Sequence, residues 1–183
     1  MKLTGSYKLN VKKEIVWRAL NDPIILKQCI PGCEIFEKES ESSFTAVATN
    51  QIGPMNATFS GDVEISNIVK NESYTLSGKG QSPVGFANGS ANVKLIEENE
   101  ITILKYDVMV NVGGKIAQLG SRLIDGVAKK MADYFFGHFA DLVSPLSQKG
   151  KTESQSVDAK RVEKLEFNFL NKYIYSSVAI FIL

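Results

Sequence analysis

The sequence predicts an α+β fold in which a curved, seven-stranded antiparallel sheet wraps around a long C-terminal helix, with two short helices after the first strand. Segments between residues 2 and 112 alternate apolar and polar side chains at hairpin spacing, which indicates an antiparallel sheet with one buried face. Residues 115–146 instead repeat apolar side chains every three or four positions, which is typical of an amphipathic helix. Such a helix is roughly 45 Å long and needs the wide, curved partner surface that the strands provide.

The N-terminal part of the chain predicts one strand and then two short helices. The strand covers 2–10, where apolar side chains alternate with polar ones, and a helical pattern follows at 11–20. Asp22 is suited to an N-cap, and Pro23 to the first position of a second helix at 23–29. A proline and glycine pair then ends this helix.

Six further strands complete the predicted sheet, and turn residues separate them. Gly53-Pro54 and Asn71-Glu72 mark two of the turns. The predicted strands are 33–39, 43–52, 55–69, 73–81, 86–97 and 101–112.

The long helix is predicted to turn an apolar stripe toward the sheet. The stripe consists of Ile116, Leu119, Leu123, Val127, Met131, Phe135 and Leu142. The inward face of the sheet carries many small residues, namely Ala57, Gly61, Gly78, Gly80, Ala87, Gly89 and Ala91. Small residues beneath a long helix leave room for an enclosed cavity, and they equally allow the sheet to bend or the helix to approach closely.

The helix length and the methionine and aromatic content favour the cavity. A cavity of this kind is mostly apolar and holds a small hydrophobic molecule. The residues predicted to bind it are Phe59, Gly61, Val63, Gly89, Ala91, Val93, Tyr106, Val108, Leu119, Leu123, Val127, Met131 and Phe135.

No pattern in the sequence indicates catalysis, metal binding or nucleic-acid binding. The formal net charge is +1 and no basic run stands out, which argues against a nucleic-acid partner. The single histidine, His138, has no metal-ligand partner at a suitable spacing, and nucleophile and phosphate-loop motifs are absent. Cys29 and Cys33 are interpreted as reduced thiols, with a disulfide or a metal-binding pair as the alternative.

Composition divides the chain into three parts. Residues 1–147 form the ligand-binding domain, 148–160 a polar linker, and 161–183 an apolar tail. The last apolar run of the tail has about 17 residues interrupted by polar ones, whereas a transmembrane helix needs about 20 apolar residues. The tail is therefore expected to associate with the membrane interface. The alternatives are that it packs onto the domain or that it has no membrane role.

A series of short motifs occurs in an order that resembles a known family. The motifs are NDP at 21–23, CIPGCE at 29–34, IGP at 52–54, FSG at 59–61, GSA at 89–91 and VGGKIAQLG at 112–120. Over about residues 1–147 the chain resembles the carbon monoxide dehydrogenase G-subunit family. That family belongs to the helix-grip superfamily of START and polyketide-cyclase-like domains.

The resemblance implies a non-enzymatic accessory protein of a molybdenum-containing hydroxylase such as aerobic carbon monoxide dehydrogenase. It implies a location on the cytoplasmic face of the cell membrane, to which the protein recruits the hydroxylase. The expected cargo is a quinone or another prenyl lipid, and no covalently bound cofactor is expected. The expected partners are the hydroxylase and, through the tail, the membrane surface.

Two other functions stay open at the level of sequence. One is a cyclase or hydratase of the same superfamily, which would use a buried tyrosine or histidine, with Tyr106 as the main candidate. The other is a pure assembly factor with a filled cavity. An enzyme needs polar groups that converge in the pocket, whereas a carrier needs an apolar pocket.

Overall fold

The described residues form one curved antiparallel sheet that holds a long helix on its concave side. The computed structural model describes the backbone of residues 1–152 and the side chains of residues 1–145. The elements are β1 (Lys2–Leu9), α1 (Lys13–Ala19), α2 (Pro23–Cys29), β2 (Cys33–Lys38), β3 (Ser43–Ile52), β4 (Met55–Val69), β5 (Ser73–Ser82), β6 (Gly85–Glu98), β7 (Ile101–Gly114), a 3-10 helix (Lys115–Leu119) and α3 (Ser121–Thr152). The sheet order is β1-β7-β6-β5-β4-β3-β2. The predicted fold class is confirmed.

The two short helices connect the edge strands β1 and β2. As predicted, Asp22 caps α2, because its carboxylate accepts a hydrogen bond of 2.9 Å from the Ile24 amide, and Pro23 follows at the first helical position. Cys29 is buried and Cys33 half-buried, and both are free thiols. Burial raises the pKa of the Cys29 thiol to about 12, so this side chain serves as a small apolar core residue.

The sheet buries its concave face and exposes its convex face. In β4 the alternation is as the sequence predicts, since Ala57, Phe59, Val63 and Ile65 are buried and the side chains between them are not. The turns between the strands lie at two opposite ends of the sheet. The β3–β4 and β5–β6 turns and the start of α3 lie at one end, and the β4–β5 and β6–β7 turns lie at the other.

The long helix begins later than predicted. Residues 115–146 were expected to form one helix, but residues Lys115–Leu119 are a 3-10 helix and α3 begins at Ser121. Gly120 separates the two with φ +84° and ψ 150°, a conformation almost restricted to glycine, so the regular helix cannot pass through it. Gly120, which lies within the predicted helical pattern, is therefore the boundary between the 3-10 helix and α3.

The helix also turns a different stripe toward the sheet than predicted. Leu123 is 36% exposed, and Val127 and Met131 are half-buried. The buried face is shifted by one position, about 100° around the helix axis, and it brings smaller side chains to the interface. It consists of Ile124, Ala128, Ala132, Phe135, Phe136, Phe139 and Val143. Of the predicted stripe, Ile116 and Phe135 are buried as expected.

The C-terminal end of the long helix differs from the prediction as well. The backbone of α3 continues through Thr152, so it extends into the range 148–160 that was predicted as a linker. The rest of that linker and the apolar tail at 161–183 lie outside the described residues, and their assignment stays a prediction. None of the helices in the described part of the chain combines the length and apolarity required for a membrane span.

Candidate functional site

An open groove lies between the N-terminal half of α3 and the end of β3. Its volume is about 650 Å³. Its walls come from α3, from the last residues of β3 with the β3–β4 turn, and from the loop after α2. The lining residues are Pro31, Asn50, Gln51, Gly53, Arg122, Leu123, Gly126, Val127, Lys130, Met131 and Tyr134.

The floor of the groove is apolar because of the stripe that α3 leaves uncovered. Leu123, Val127 and Met131 lie on successive turns of the helix, one position away from its buried face. The β3–β4 turn approaches this stripe closely. A Cβ atom built on Gly53 would lie 3.4 Å from both methyl groups of Leu123, and Gly53 has φ +59°. A glycine therefore suits this point, where a positive φ and close contact with the helix coincide.

The polar lining falls into two kinds. The amides of Asn50 and Gln51 donate hydrogen bonds of 3.2 and 3.3 Å to the backbone carbonyls of Pro31 and Gly53, so they stabilise the loop and turn that wall the groove. Arg122 and Lys130 are exposed, and neither forms an ion pair with any residue from 1 to 145. The groove thus combines an apolar floor with a basic rim.

The groove has no recognisable catalytic arrangement. No histidine, cysteine or carboxylate is present among its described lining residues. His138 stacks on Tyr134 with ring centroids 4.0 Å apart and lies outside the lining. In the part of the chain with described side chains, no three histidine, cysteine or carboxylate groups lie together as metal ligands. This chemistry suits binding of an apolar molecule.

The structure distributes the predicted ligand-binding residues between the groove and the core. Leu123, Val127 and Met131 line the groove, and Leu119 lies beside its Gly53 wall, 3.8 Å from a Cβ built on that glycine. The others do not line the groove and lie within or beside the hydrophobic core: Phe59, Gly61, Val63, Gly89, Ala91, Val93, Tyr106, Val108 and Phe135. Their contact with a ligand stays a prediction.

One of the inward glycines has a local packing explanation. A Cβ atom on Gly61 would clash with the backbone carbonyl of Lys79 on the neighbouring strand, so Gly61 allows β4 and β5 to bend together. A Cβ atom on Gly80 would meet the Phe59 ring at 3.8 Å, which is ordinary contact, so packing does not require glycine at that position. At Gly61 the small residue serves sheet curvature, one of the alternatives that the sequence left open.

Tyr106, the main candidate for an enzymatic role, belongs to an aromatic cluster that fixes α3 on β1 and β7. Its ring stacks on Phe136 at 5.3 Å and covers Gly5, where a Cβ atom would clash with it. Tyr7 stacks on the same Phe136 at 4.2 Å and donates a hydrogen bond of 2.8 Å to Asp133. Burial, followed by the Asp133 charge, raises the pKa of Tyr106, so its hydroxyl stays protonated.

Sequence reasoning missed the remainder of the groove. Helical spacing could have found Arg122, Gly126 and Lys130, since they lie one position before the Leu123 stripe. Nothing in the local sequence places Pro31 or Asn50 against α3. Those contacts depend on how α2 and β3 pack.

Comparison with a family profile gives a match over most of the chain. The family is that of the carbon monoxide dehydrogenase G-subunit (CoxG), and the match covers residues 5–144. All of the groove-lining residues lie within that range. None of the curated protein sequences compared with the chain matches it.

Solved structures share the fold. A conserved protein from Geobacillus kaustophilus is 31% identical with a TM-score of 0.76, and the match covers 79% of this chain and 96% of that one. A START superfamily protein from Mycobacterium smegmatis is 11% identical, with a TM-score of 0.61 and coverage of 79% and 98%. Zhui aromatase/cyclase from Streptomyces sp. R1128 is 11% identical, with a TM-score of 0.57 and coverage of 78% and 93%. The last two likenesses show the fold alone.

Proposed function

Because the chain belongs to the carbon monoxide dehydrogenase G-subunit (CoxG) family, we propose that it is a non-enzymatic accessory protein that carries a quinone or another prenyl lipid for a molybdenum-containing hydroxylase. The family and the START-like fold support a ligand-binding accessory role in general. The identity of the ligand, the hydroxylase partner and recruitment to the membrane are the parts that we propose.

The observation that carries the proposal is the apolar floor of the groove. Leu123, Val127 and Met131 form a continuous apolar strip on a helix that otherwise buries such residues. The volume of about 650 Å³ lies within the usual range for small-molecule sites, about 300–1,000 Å³. The absence of acid, base and nucleophile pairs from the described lining favours transport over chemistry.

The open side of the groove suits a ligand with a long tail. A quinone has a compact, neutral ring and an extended prenyl chain. The ring can lie on the apolar strip while the chain leaves through the open side, so a fully enclosed cavity is not required. Gly53 and Gly126 line the groove and add no side chains to it, which leaves room between its two walls.

Membrane recruitment is proposed for the tail, which lies outside the described residues. Its sequence combines aromatic residues with Arg161, Lys164 and Lys172, a combination that favours an anionic membrane interface. In this proposal the tail brings the carrier and its hydroxylase to the bilayer that contains the quinone.

Native mass spectrometry of full-length protein from its own host, together with organic extraction, tests the cargo. We expect a co-purifying isoprenoid quinone or similar lipid. Val127→Asp places a charge on the groove floor and should reduce quinone uptake at least tenfold. The matched control is Met109→Asp, because Met109 is 61% exposed on the convex face of the sheet and should retain uptake.

Two outcomes would contradict the proposal. An empty protein that also takes up no added quinone would favour the pure assembly factor. Equal uptake by the wild type and Val127→Asp, with both folded, would place the ligand elsewhere, in or near the core residues that the sequence predicted.

A further inference from the structure

The rim of the groove carries charge of one sign. Arg122 and Lys130 are eight residues apart on α3, which places them about 12 Å apart along one side of the helix. Both are exposed, neither is paired with an acidic side chain in residues 1–145, and no carboxylate is present among the described lining residues. Acidic residues of α3 lie outside the lining, and Asp133 is bonded to Lys129 and Tyr7.

Apolar and aromatic side chains are exposed beside these two cations. Leu123 is 36% exposed and Tyr134 is 44% exposed, and both belong to the groove lining. Basic residues interleaved with exposed leucine and tyrosine are typical of surfaces that lie in the headgroup region of a bilayer. The aliphatic parts of Arg122 and Lys130 can cover apolar surface while their charges meet phosphates.

The convex face of the sheet provides an internal comparison. Lys94 and Lys105 are also exposed and lie directly opposite each other on β6 and β7. Two positions along the strands on that face lie Asn92 and Asp107 in one direction and the half-buried pair Ile96 and Ile103 in the other. Positive charge is therefore present on both faces. At the mouth formed by α3 it borders the open apolar groove, whereas Lys94 and Lys105 are not among the residues that line the groove.

We infer that the mouth of the groove docks on an anionic lipid bilayer, with Arg122 and Lys130 among the headgroup phosphates and Leu123 and Tyr134 below them. In this orientation a hydrophobic ligand passes between the bilayer and the groove without crossing water. The inference rests on the proposed function for ligand transfer only, because docking itself needs no ligand. It adds a contact within the domain to the one proposed for the tail.

The first test measures binding of the full-length protein to phosphatidylcholine vesicles with and without phosphatidylglycerol. Each basic residue at an anionic surface contributes about fivefold to the partition coefficient, so Arg122→Gln with Lys130→Gln should lower it about 30-fold. The loss should appear only with phosphatidylglycerol. Lys94→Gln with Lys105→Gln removes the same charge from the convex face and should change binding less than threefold.

The second test reports the orientation of the domain. Leu123→Trp and Met109→Trp each add one tryptophan to the single native Trp17, which is buried. Brominated lipid in phosphatidylglycerol vesicles should quench the added fluorescence of Leu123→Trp and leave that of Met109→Trp unchanged. Quenching of both, or of Met109→Trp alone, overturns the inference.

The remaining outcomes also decide the matter. Equal losses in the two double variants would show general charge attraction, and no loss in either would leave the tail as the whole membrane contact; both overturn the inference. If the groove variant loses binding to an acidic protein partner but not to vesicles, the surface is a protein interface instead. Uptake of detergent-solubilised quinone by the wild type is measured separately, so failure of the carrier proposal is distinguishable from failure of bilayer docking.

Discussion

The two halves of α3 differ in how the molecule uses them. Around Phe135, Phe136 and Phe139 the helix is buried in the hydrophobic core. Phe139 stacks on Phe135, Phe136 meets Phe135 edge to face, and Phe136 stacks on Tyr7. Around Leu123 the same helix has small residues on its buried face and leaves its larger side chains at the edge of a groove. The half around residues 135–139 packs in the core, and the half around Leu123 lines the groove.

The difference teaches that the larger apolar residues of a helix are not always the ones that are buried. Ala128 and Ala132 are buried because a helix can approach its neighbours closely only through small side chains, whereas Leu123 and Met131 border open space. The half of α3 that packs in the core can therefore fix the position of the half that lines the groove, while the groove stays open.

The largest effect on stability is expected from removing an aromatic side chain in the half of α3 that is buried in the core. Phe139 is fully buried and stacks on Phe135 at 5.9 Å, so Phe139→Ala should lower the free energy of unfolding by about 3–5 kcal/mol. Leu123→Ala, on the open half, should lower it by less than about 1 kcal/mol because Leu123 is partly in water already. Urea unfolding measures both. Equal losses would contradict the division of the helix.

Glycines at the start and in the middle of the helix should respond in opposite directions. Gly120→Ala should lower the free energy of unfolding by about 1–3 kcal/mol, because alanine cannot adopt φ +84° and ψ 150° without strain. Gly137→Ala should raise it by about 0.5–1 kcal/mol, because Gly137 is exposed inside α3 with no atom within 4 Å of a new Cβ. Thermal and urea unfolding compare them. A stabilising Gly120→Ala would mean that α3 can extend toward the 3-10 helix.

Two buried hydroxyls lie at the end of the sheet away from the groove, and they differ in hydrogen bonding. Thr102 donates a bond of 2.6 Å to the Val11 carbonyl, and Thr102→Val should cost about 1–3 kcal/mol because that carbonyl loses its partner. The Tyr74 hydroxyl is buried without a partner among the described residues, so Tyr74→Phe should be neutral or stabilise by up to about 1 kcal/mol. A clear loss of stability in Tyr74→Phe would indicate a bound water or another partner at that hydroxyl.

The smallest effect is a pH dependence at the contact between β1 and α3. Burial and the bond to Asp133 raise the pKa of Tyr7 from its ordinary value of 10.0 to about 12. Since the folded pKa is the higher one, this contribution is complete below pH 10 and is lost as pH rises from 10 to about 12. The stability difference between the wild type and Tyr7→Phe should shrink over that interval. A stability difference that does not change with pH would contradict a stabilising hydrogen bond between Tyr7 and Asp133.

The sequence predicted most of the fold because its signals are local. The alternation in β4, the cap at Asp22 and the Gly53-Pro54 turn each follow from a few neighbouring residues, and the structure confirms all three. The candidate groove was predicted only in part. Leu123, Val127 and Met131 were predicted as part of one stripe that faces the sheet, and in the structure these three residues line the groove.

What the sequence determined by itself is the set of strands, the short helices and the amphipathic character of α3, since period and turn chemistry depend on adjacent residues. Only the tertiary structure decided which face of α3 is buried, because the small side chain of Ala128 lets the helix pack closely at that position: Ala128 is 8% exposed, whereas Leu123 is 36% exposed. It also decided that Pro31 and Asn50 line the same groove as Lys130. Those residues are far apart in the chain, and long-range packing, which no local pattern encodes, brings them together.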